Sequence, residues 1–262
     1  MSRVTIPITL IILLTISAVF AGCGATVPGN IVTEEKDFTD FTYVDVGSAF
    51  EFEITRSDTF SVIISADESL FDLVGVSRSG ETLKIYLNPR HIFTDFTLGT
   101  KTLKAEITMP ALYGLQVSGA SKGTITGFKS QHDLSLGVSG ASSLDINGIE
   151  AGSMDFDISG ASEVTGSVNA TETILETSGG SKVELEGSAS KILLKVSGAS
   201  KIDLADFPLD SADVELSGAS EATINVKGRL DTVLSGASRL YFHGNPTMGR
   251  VSVTGASTIK HE

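Results

Sequence analysis

The stretch Leu194-Lys-Val-Ser-Gly-Ala-Ser-Lys-Ile-Asp-Leu204 contains a tetrapeptide, Ser-Gly-Ala-Ser, of which this 262-residue chain holds eight copies between residues 118 and 257. Two copies vary slightly, one reading Ser-Gly-Gly-Ser and the last reading Thr-Gly-Ala-Ser. Successive copies lie 18 to 21 residues apart and begin at Ser118, Ser139, Ser159, Ser178, Ser197, Ser217, Ser235 and Thr254. Such a period is too short for a pair of helices and indicates one coil of a β-solenoid.

Apolar and polar residues alternate on both sides of the tetrapeptide. Before it, Leu194 and Val196 enclose the charged Lys195, and after it Ile202 and Leu204 follow the same period of two. Nearly every copy has this order. The alternation predicts two half-buried strands in each coil, and the frequent Gly and Ser residues exclude helices.

The tetrapeptide itself predicts a sharp corner between the two strands, because Gly accepts backbone angles that other residues avoid. We expect the first-position residues named above to be structural corner residues, which bond backbone groups left free by strand pairing. The third position is Ala in seven copies and Gly in one. We interpret it as a position without room on the inside of the bend, so that Ala219 points inward and Glu221 outward. Seven to ten further residues close each coil.

Residues 38–112 differ in composition from the repeats. The tetrapeptide is absent there, and ten of the seventeen Phe and Tyr residues lie between Phe38 and Phe96. Strand-like alternation persists, for example in Phe50–Ile54 and Leu83–Leu87. We interpret this part as an N-terminal β section that covers one end of the solenoid, as atypical terminal repeats do. A small separate β-domain is the alternative.

The N-terminus has the pattern of an export signal. An apolar run, Ile6–Phe20, is followed by Ala21-Gly22 and then by Cys23, the only cysteine. The run has the length of a signal-peptide core and is shorter than the ~20 residues that cross a bilayer. Its end resembles the lipobox of bacterial lipoproteins. We therefore predict a signal peptide at 1–22, lipidation of Cys23 and a tether at 23–37, which would place the protein in the cell envelope or at the cell surface. An ordinary signal peptide or an uncleaved anchor remains the alternative.

Three further stretches, Phe41–Ile54, Gly80–Ile85 and Met109–Ser121, resemble the family "Putative auto-transporter adhesin, head GIN domain". The resemblance covers about residues 38–262. It implies an all-β fold, a right-handed single-stranded β-helix with about 19–20 residues per coil. The N-terminal β section of the domain would then occupy 38–112 and the repeat β-helix 113–262. The resemblance also implies exported, often lipid-anchored proteins, and it implies no catalytic residue.

Composition excludes several classes of function. The chain carries 19 basic and 32 acidic residues, a net charge of −13, which argues against nucleic acid as a partner because phosphate binding requires clustered Lys and Arg. A single cysteine excludes a disulfide framework and a multi-thiolate metal site. The sequence also lacks a phosphate-binding loop, zinc-ligand spacing and a nucleophile elbow. We therefore predict no cofactor.

Outward-facing acids are the strongest chemical feature of the repeats. Asp155 and Asp157 share one strand, and Glu176 would lie about 5 Å away on the next coil, close enough for a divalent cation or for paired acid–base chemistry. The cluster is not sustained, because Lys195 occupies the next position of the same column. We interpret the acids as solvated surface charge and leave a bound cation open.

Three functions remain at this point. The favoured one is a non-catalytic surface module that binds or adheres to a cell-surface or glycan ligand through two polar strips. One strip holds Asp157, Glu176, Lys195 and Glu215. The other follows two columns, one through Lys182, Lys201, Glu221 and Arg239 and one through Glu184, Asp203 and Tyr241. The alternatives are a structural component of the cell envelope and a carbohydrate-active β-helix enzyme. The sequence leaves the ligand and the oligomeric state open.

Replacing Cys23 with Ser is expected to move the protein from the membrane fraction to the soluble fraction and to abolish labelling by a lipid precursor. The reason is that no other thiol in the chain can carry the lipid. Thr15→Ser, a conservative change inside the apolar run, is the matched control and should stay in the membrane. Unchanged fractionation of the Cys23 variant, with an intact N-terminus, would instead indicate a retained apolar anchor.

Overall fold

The computed structural model describes residues 30–88 and 101–262, so Cys23 and the signal peptide lie outside the described residues. All 18 strands of this part belong to one hydrogen-bonded sheet. The N-terminal strands are β1 Ile31–Glu35, β2 Tyr43–Val46, β3 Glu51–Arg56, β4 Ser61–Asp67, β5 Val74–Ser79, β6 Thr82–Leu87 and β7 Leu103–Met109, with one short helix, α1 Glu68–Phe71. The repeat strands are β8 Gly114–Val117, β9 Lys122–Thr126, β10 Leu134–Val138, β11 Ser143–Ile158, β12 Glu163–Thr177, β13 Lys182–Val196, β14 Lys201–Leu216, β15 Glu221–Leu234, β16 Arg239–His243, β17 Thr247–Val253 and β18 Thr258–His261.

The repeats form stacked parallel coils, which confirms the predicted β-solenoid. Strands β12 and β13 pair in parallel from Glu163↔Lys182 to Thr177↔Val196, and β11 to β15 stack on one another in the same way. The tetrapeptides recur at equivalent levels of successive coils. We call each of them a corner.

The segment that closes each coil is also part of the sheet, which the sequence did not predict. Strands β11 to β15 are 14 to 16 residues long and continue through the closing segment, where Ala151, Ala170 and Ala189 pair in register. This segment contributes to the core as well, since Val168 and Phe207 are fully buried. The alternation of apolar residues is less regular in the closing segment, which is why the sequence did not predict a strand there.

The apolar columns beside the corners point inward, as predicted. Phe156, Leu175, Leu194 and Val214 stack on successive coils, and each is 0% exposed. Burying a side chain of this size typically contributes about 1.5–3 kcal/mol. The interior of the solenoid is therefore mostly apolar, with a few buried threonines such as Thr232, which follows Val214 in the same column.

The predicted inward position of the corner alanine is wrong. The third position is exposed in all eight corners, including Ala219. A Cβ built on Gly180, the third-position glycine, would meet no atom within 4 Å. The structure gives no steric reason for Ala at this position.

The crowded position is the glycine at position two. Gly218 has a φ of 76°, in the left-handed region. A Cβ built on Gly218 would lie 2.5 Å from the carbonyl oxygen of Gly198 in the preceding coil. The backbones of successive corners therefore lie directly against each other. The coils can approach this closely because position two has no side chain, whereas the side chain at position three does not affect the spacing.

The fourth-position serine of the corner is its buried polar group. These serines are at most 2% exposed from Ser121 to Ser238. Their hydroxyls donate to the carbonyl of the first-position residue in the same corner, at 2.8 Å from Ser220 to Ser217 and 3.2 Å from Ser200 to Ser197. The hydroxyl thus satisfies a carbonyl of the turn, as in other side-chain-closed turns.

The N-terminal section continues the solenoid and inserts one coil out of sequence order. Strand β2 pairs in parallel with both β6 and β8, and β3 pairs in parallel with both β7 and β9. The coil of β2 and β3 therefore lies between the level of β6 and β7 and the first repeat. Its corner is Gly47–Phe50, which the tetrapeptide search missed. There the Ala49 N–H donates to the Gly119 carbonyl at 2.9 Å, and Phe50 occupies the buried position of the fourth serine.

Antiparallel strands cover the N-terminal end of the solenoid. Strand β5 pairs with β6, β4 pairs with β7, and β1 pairs with β4. The tether predicted at 23–37 overlaps β1, because Ile31–Glu35 pairs along the free edge of β4. Within residues 30–88 and 101–262, no helix is long and apolar enough to span a bilayer.

Gly218→Ala is expected to lower the unfolding temperature clearly, whereas Ala219→Ser should barely change it. The left-handed conformation alone costs an L-residue about 1–2 kcal/mol, and the added Cβ would also press on the Gly198 carbonyl. Thermal unfolding followed by circular dichroism measures both variants. An equal loss in the two variants would contradict the backbone-stacked corner.

Candidate functional site

Residues of one outward column line a groove along the corners. Asp157, Glu176, Lys195 and Glu215 occupy the same position on four successive coils. They line a groove of about 330 Å³ together with the first-position corner serines Ser178, Ser197, Ser217 and Ser235. We call this feature the corner groove. It runs across the coils because both the column and the corners repeat at each level, about 4.8 Å apart.

The groove carries three carboxylates and one ammonium group. The Lys195 Nζ donates to the Glu176 Oε1 at 2.7 Å. This hydrogen bond is the main cause that raises the pKa of Lys195, followed by the charges of Glu176 and Glu215. The groove is therefore acidic overall, and it offers three carboxylate acceptors and one ammonium donor in a row.

Asp155 lies outside the groove on the neighbouring outward column. Partial burial is the main cause that raises the pKa of this carboxyl, and repulsion from Glu176 and Asp157 adds to it. Ile174 and Leu193 follow Asp155 in the same column and are half-buried. A carboxyl with a raised pKa beside a carboxylate is the one arrangement on this face with acid–base potential.

The second predicted strip is a ladder of ion pairs. Lys182 contacts Glu163 at 3.1 Å and Glu184 at 3.3 Å, and Glu221 contacts Lys201 at 3.4 Å. The lysines are about half exposed, so each pair contributes little to stability. Because its charges are already paired, this strip is a weaker candidate than the groove.

The remaining predicted corner residues lie apart from the corner groove. Ser118 lines a second hollow of about 400 Å³ with Asp45, Lys84 and Tyr86, where Lys84 contacts Asp45 at 3.4 Å. Ser139, Ser159 and Thr254 line neither feature. The sequence analysis missed Asp45, although aligning Tyr43–Val46 with Gly114–Val117 would have placed it in the outward column of the groove residues.

Other catalytic or metal-binding arrangements are not found among the described residues. In residues 30–88 and 101–262, no group of three or more His, Cys, Asp and Glu side chains could hold a metal ion. Of the histidines in this part, His132 lies against Tyr113 and His261 stacks on Phe242. The third, His243, has its Nδ1 3.2 Å from the Glu262 carbonyl oxygen. None of these three lines the groove, so no described histidine is placed to activate a groove serine.

Solved structures of similar fold come from Parabacteroides and Bacteroides species. A "putative adhesin" from Parabacteroides merdae has a TM-score of 0.80 at 16% identity, covering 90% of this chain and 98% of its own. A "putative lipid binding protein" from Parabacteroides distasonis has a TM-score of 0.79 at 19% identity, covering 89% and 97%. A "putative adhesin" from Bacteroides fragilis has a TM-score of 0.67 at 20% identity, covering 89% and 97%. These identities are low enough that the likeness shows the fold alone.

A comparison with curated proteins finds no match. One family model, by contrast, matches residues 40–246, which is most of the chain and includes both the inserted N-terminal coil and the corner groove. The protein therefore belongs to the family described as "Putative auto-transporter adhesin, head GIN domain".

Proposed function

We propose that this protein is an exported, lipid-anchored surface module that binds an extended ligand in the corner groove without catalysing a reaction. The observation that carries the proposal is the groove itself, in which the same polar position and the same corner hydroxyl recur on successive coils. An open, repeating surface suits many weak contacts that add up along a ligand better than one enclosed reaction centre.

A linear glycan fits this chemistry. Its hydroxyls donate to carboxylates such as Glu176 and Glu215, accept from the ammonium of Lys195, and exchange hydrogen bonds with corner serines. Regularly spaced sugars can repeat those contacts from coil to coil. The net charge of −13 disfavours a polyanion, unless divalent cations bridge it, so a neutral glycan is the preferred ligand.

The lipid anchor would orient the groove. From Cys23 to Asn30, where the described chain begins, the tether spans at most about 25–30 Å, and it leads to β1 on the covered N-terminal end. The groove corners stack several coils further along, roughly 30 Å away at ~4.8 Å per coil. An anchored molecule would thus hold its N-terminal end near the membrane and the groove beyond it.

Binding is expected to depend on the groove carboxylates. The double change Glu176→Gln and Glu215→Gln should weaken retention on immobilised neutral β-linked glycans, because it removes two hydrogen-bond acceptors of the strongest kind. The matched control, Glu163→Gln with Glu184→Gln, alters two acids of the ion-pair ladder and should leave retention unchanged. The measurement is affinity electrophoresis or glycan-array binding of the full chain carrying Cys23→Ser. Equal weakening in both variants would remove the groove as the site.

The carbohydrate-active enzyme remains the second candidate, because the pKa of Asp155 is raised beside Glu176. Our proposal predicts that no products are released from pectic, alginate or peptidoglycan substrates, as measured by reducing-end release and mass spectrometry. Asp155→Asn should then change nothing in these assays. Turnover that disappears in Asp155→Asn or Glu176→Gln would convert the acidic face into an active site.

A further inference from the structure

The C-terminal end of the solenoid is an uncovered sheet edge. In the described part of the chain, β17 pairs only with β15, and β18 pairs only with β16. Each of these two strands therefore presents one row of N–H and C=O groups without a partner strand. Edges of this kind accept an added strand.

The same edge exposes the end of the apolar core. Val251 and Val253 are 46% and 41% exposed. Their partners one coil earlier, Thr232 and Leu234, are fully buried. The valines thus occupy core positions of the solenoid that no strand within residues 30–88 and 101–262 covers, and a strand added to β17 would bury them.

The charge of this end differs from that of the rest of the molecule. Residues 228–262 contain four bases, Arg229, Arg239, Arg250 and Lys260, and two acids, Asp231 and Glu262, whereas the whole chain carries −13. Asp231 is held by Arg229 at 2.5 Å and by the backbone N–H of Arg250 at 2.7 Å. Lys260 contacts Glu262 at 3.1 Å, and Arg239 contacts Glu221 of the preceding coil at 3.8 Å. Arg250 is the base of β17 itself. The end therefore attracts negative charge, while the groove and the N-terminal section repel it.

The N-terminal end of the solenoid is less open at its sheet edge and carries acids where the C-terminal end carries bases. Its edge strand β1 carries Glu34 and Glu35, and antiparallel strands already cover the coil beneath it. If two molecules met by their C-terminal ends, Arg250 and Lys260 of one molecule would face the same residues of the other, and these like charges would repel each other. A second copy approaching with its acidic N-terminal end would have to leave the membrane to which Cys23 is proposed to tie it.

We propose that the C-terminal end binds an extended, acidic segment of a partner protein, which adds as a strand to β17. The register of β17 specifies the segment. Two apolar side chains, spaced by one residue, would stack on Val251 and Val253, and an acidic side chain on the outward face would reach Arg250. The pattern is acid, apolar, any residue, apolar. Backbone hydrogen bonds supply affinity and the side-chain alternation supplies selectivity.

The test uses two labelled synthetic peptides of equal length, one alternating Glu with Val and one alternating Lys with Val. Fluorescence anisotropy with the full chain carrying Cys23→Ser should show saturable binding of the Glu peptide only, weakening as salt is added. Arg250→Glu with Lys260→Glu should slow association of the Glu peptide roughly tenfold or more and allow the Lys peptide to bind. Val251→Asp should also weaken the Glu peptide, because it removes apolar contact and adds repulsion.

The matched control, Lys182→Glu with Lys201→Glu, changes the net charge by the same amount on the side of the solenoid and should leave peptide binding unchanged. Circular dichroism of each variant separates lost binding from lost folding. Equal binding of both peptides, or equal loss in the control, would overturn the proposal. Reversible self-association in sedimentation velocity that Val251→Asp abolishes would assign the edge to a second copy instead. Peptide binding is measured without glycan, so its result is independent of the corner groove.

Discussion

One backbone contact, repeated at six successive corners from Ala161 to Ala256, holds the solenoid in register. The N–H of the third corner residue donates to the carbonyl of the corner glycine one coil earlier, at 2.7 Å from Ala219 to Gly198 and from Ala199 to Gly179. This contact requires the glycine carbonyl to be uncovered and its α-carbon to carry no side chain. A change of register at a corner would break it, so the coils are fixed level by level. The alternation along each strand then decides which side chains are buried.

The groove follows from that register. Because the corners superpose, the residue two positions before each corner falls on the same outward column whatever its identity. Asp157, Glu176, Lys195 and Glu215 are therefore neighbours in space although about 19 residues separate them in sequence. The fold demands no particular side chain in this column, since a half-buried strand tolerates any polar residue there. The column is thus free to carry chemistry without cost to the core.

The alternation of apolar and polar residues predicted the strands and their buried columns. It did not predict the features that depend on backbone contact between coils. The strands beside the corners and their inward columns could be read from alternation, as at Leu194 and Val196.

The inward placement of Ala219 failed because a small residue was taken to mean a small space. In fact the crowding falls on Gly218, whose neighbours are backbone atoms that no side-chain pattern reveals. The corner at Gly47–Phe50 escaped because Phe50 fills with apolar volume the place that a serine hydroxyl fills elsewhere. The polar strip from Asp157 to Glu215 was predicted from the repeat, but the groove beside it was not, since the corner serines form its wall only when the coils are stacked.

The two ends of the solenoid differ because only one of them reverses the direction of its strands. At the N-terminal end, antiparallel β4 and β5 close the parallel coils and bury apolar residues such as Val62 and Ile64. At the other end the described chain adds no reversed strand, and Val251 and Val253 remain exposed. A parallel stack with one closed end has two different ends. In this protein the net charge also changes along the stack, from an acidic N-terminal section to basic last coils. Under the proposed lipid anchoring at Cys23, which would lie at the closed end, the open and basic end would be the part of the molecule that points away from the membrane.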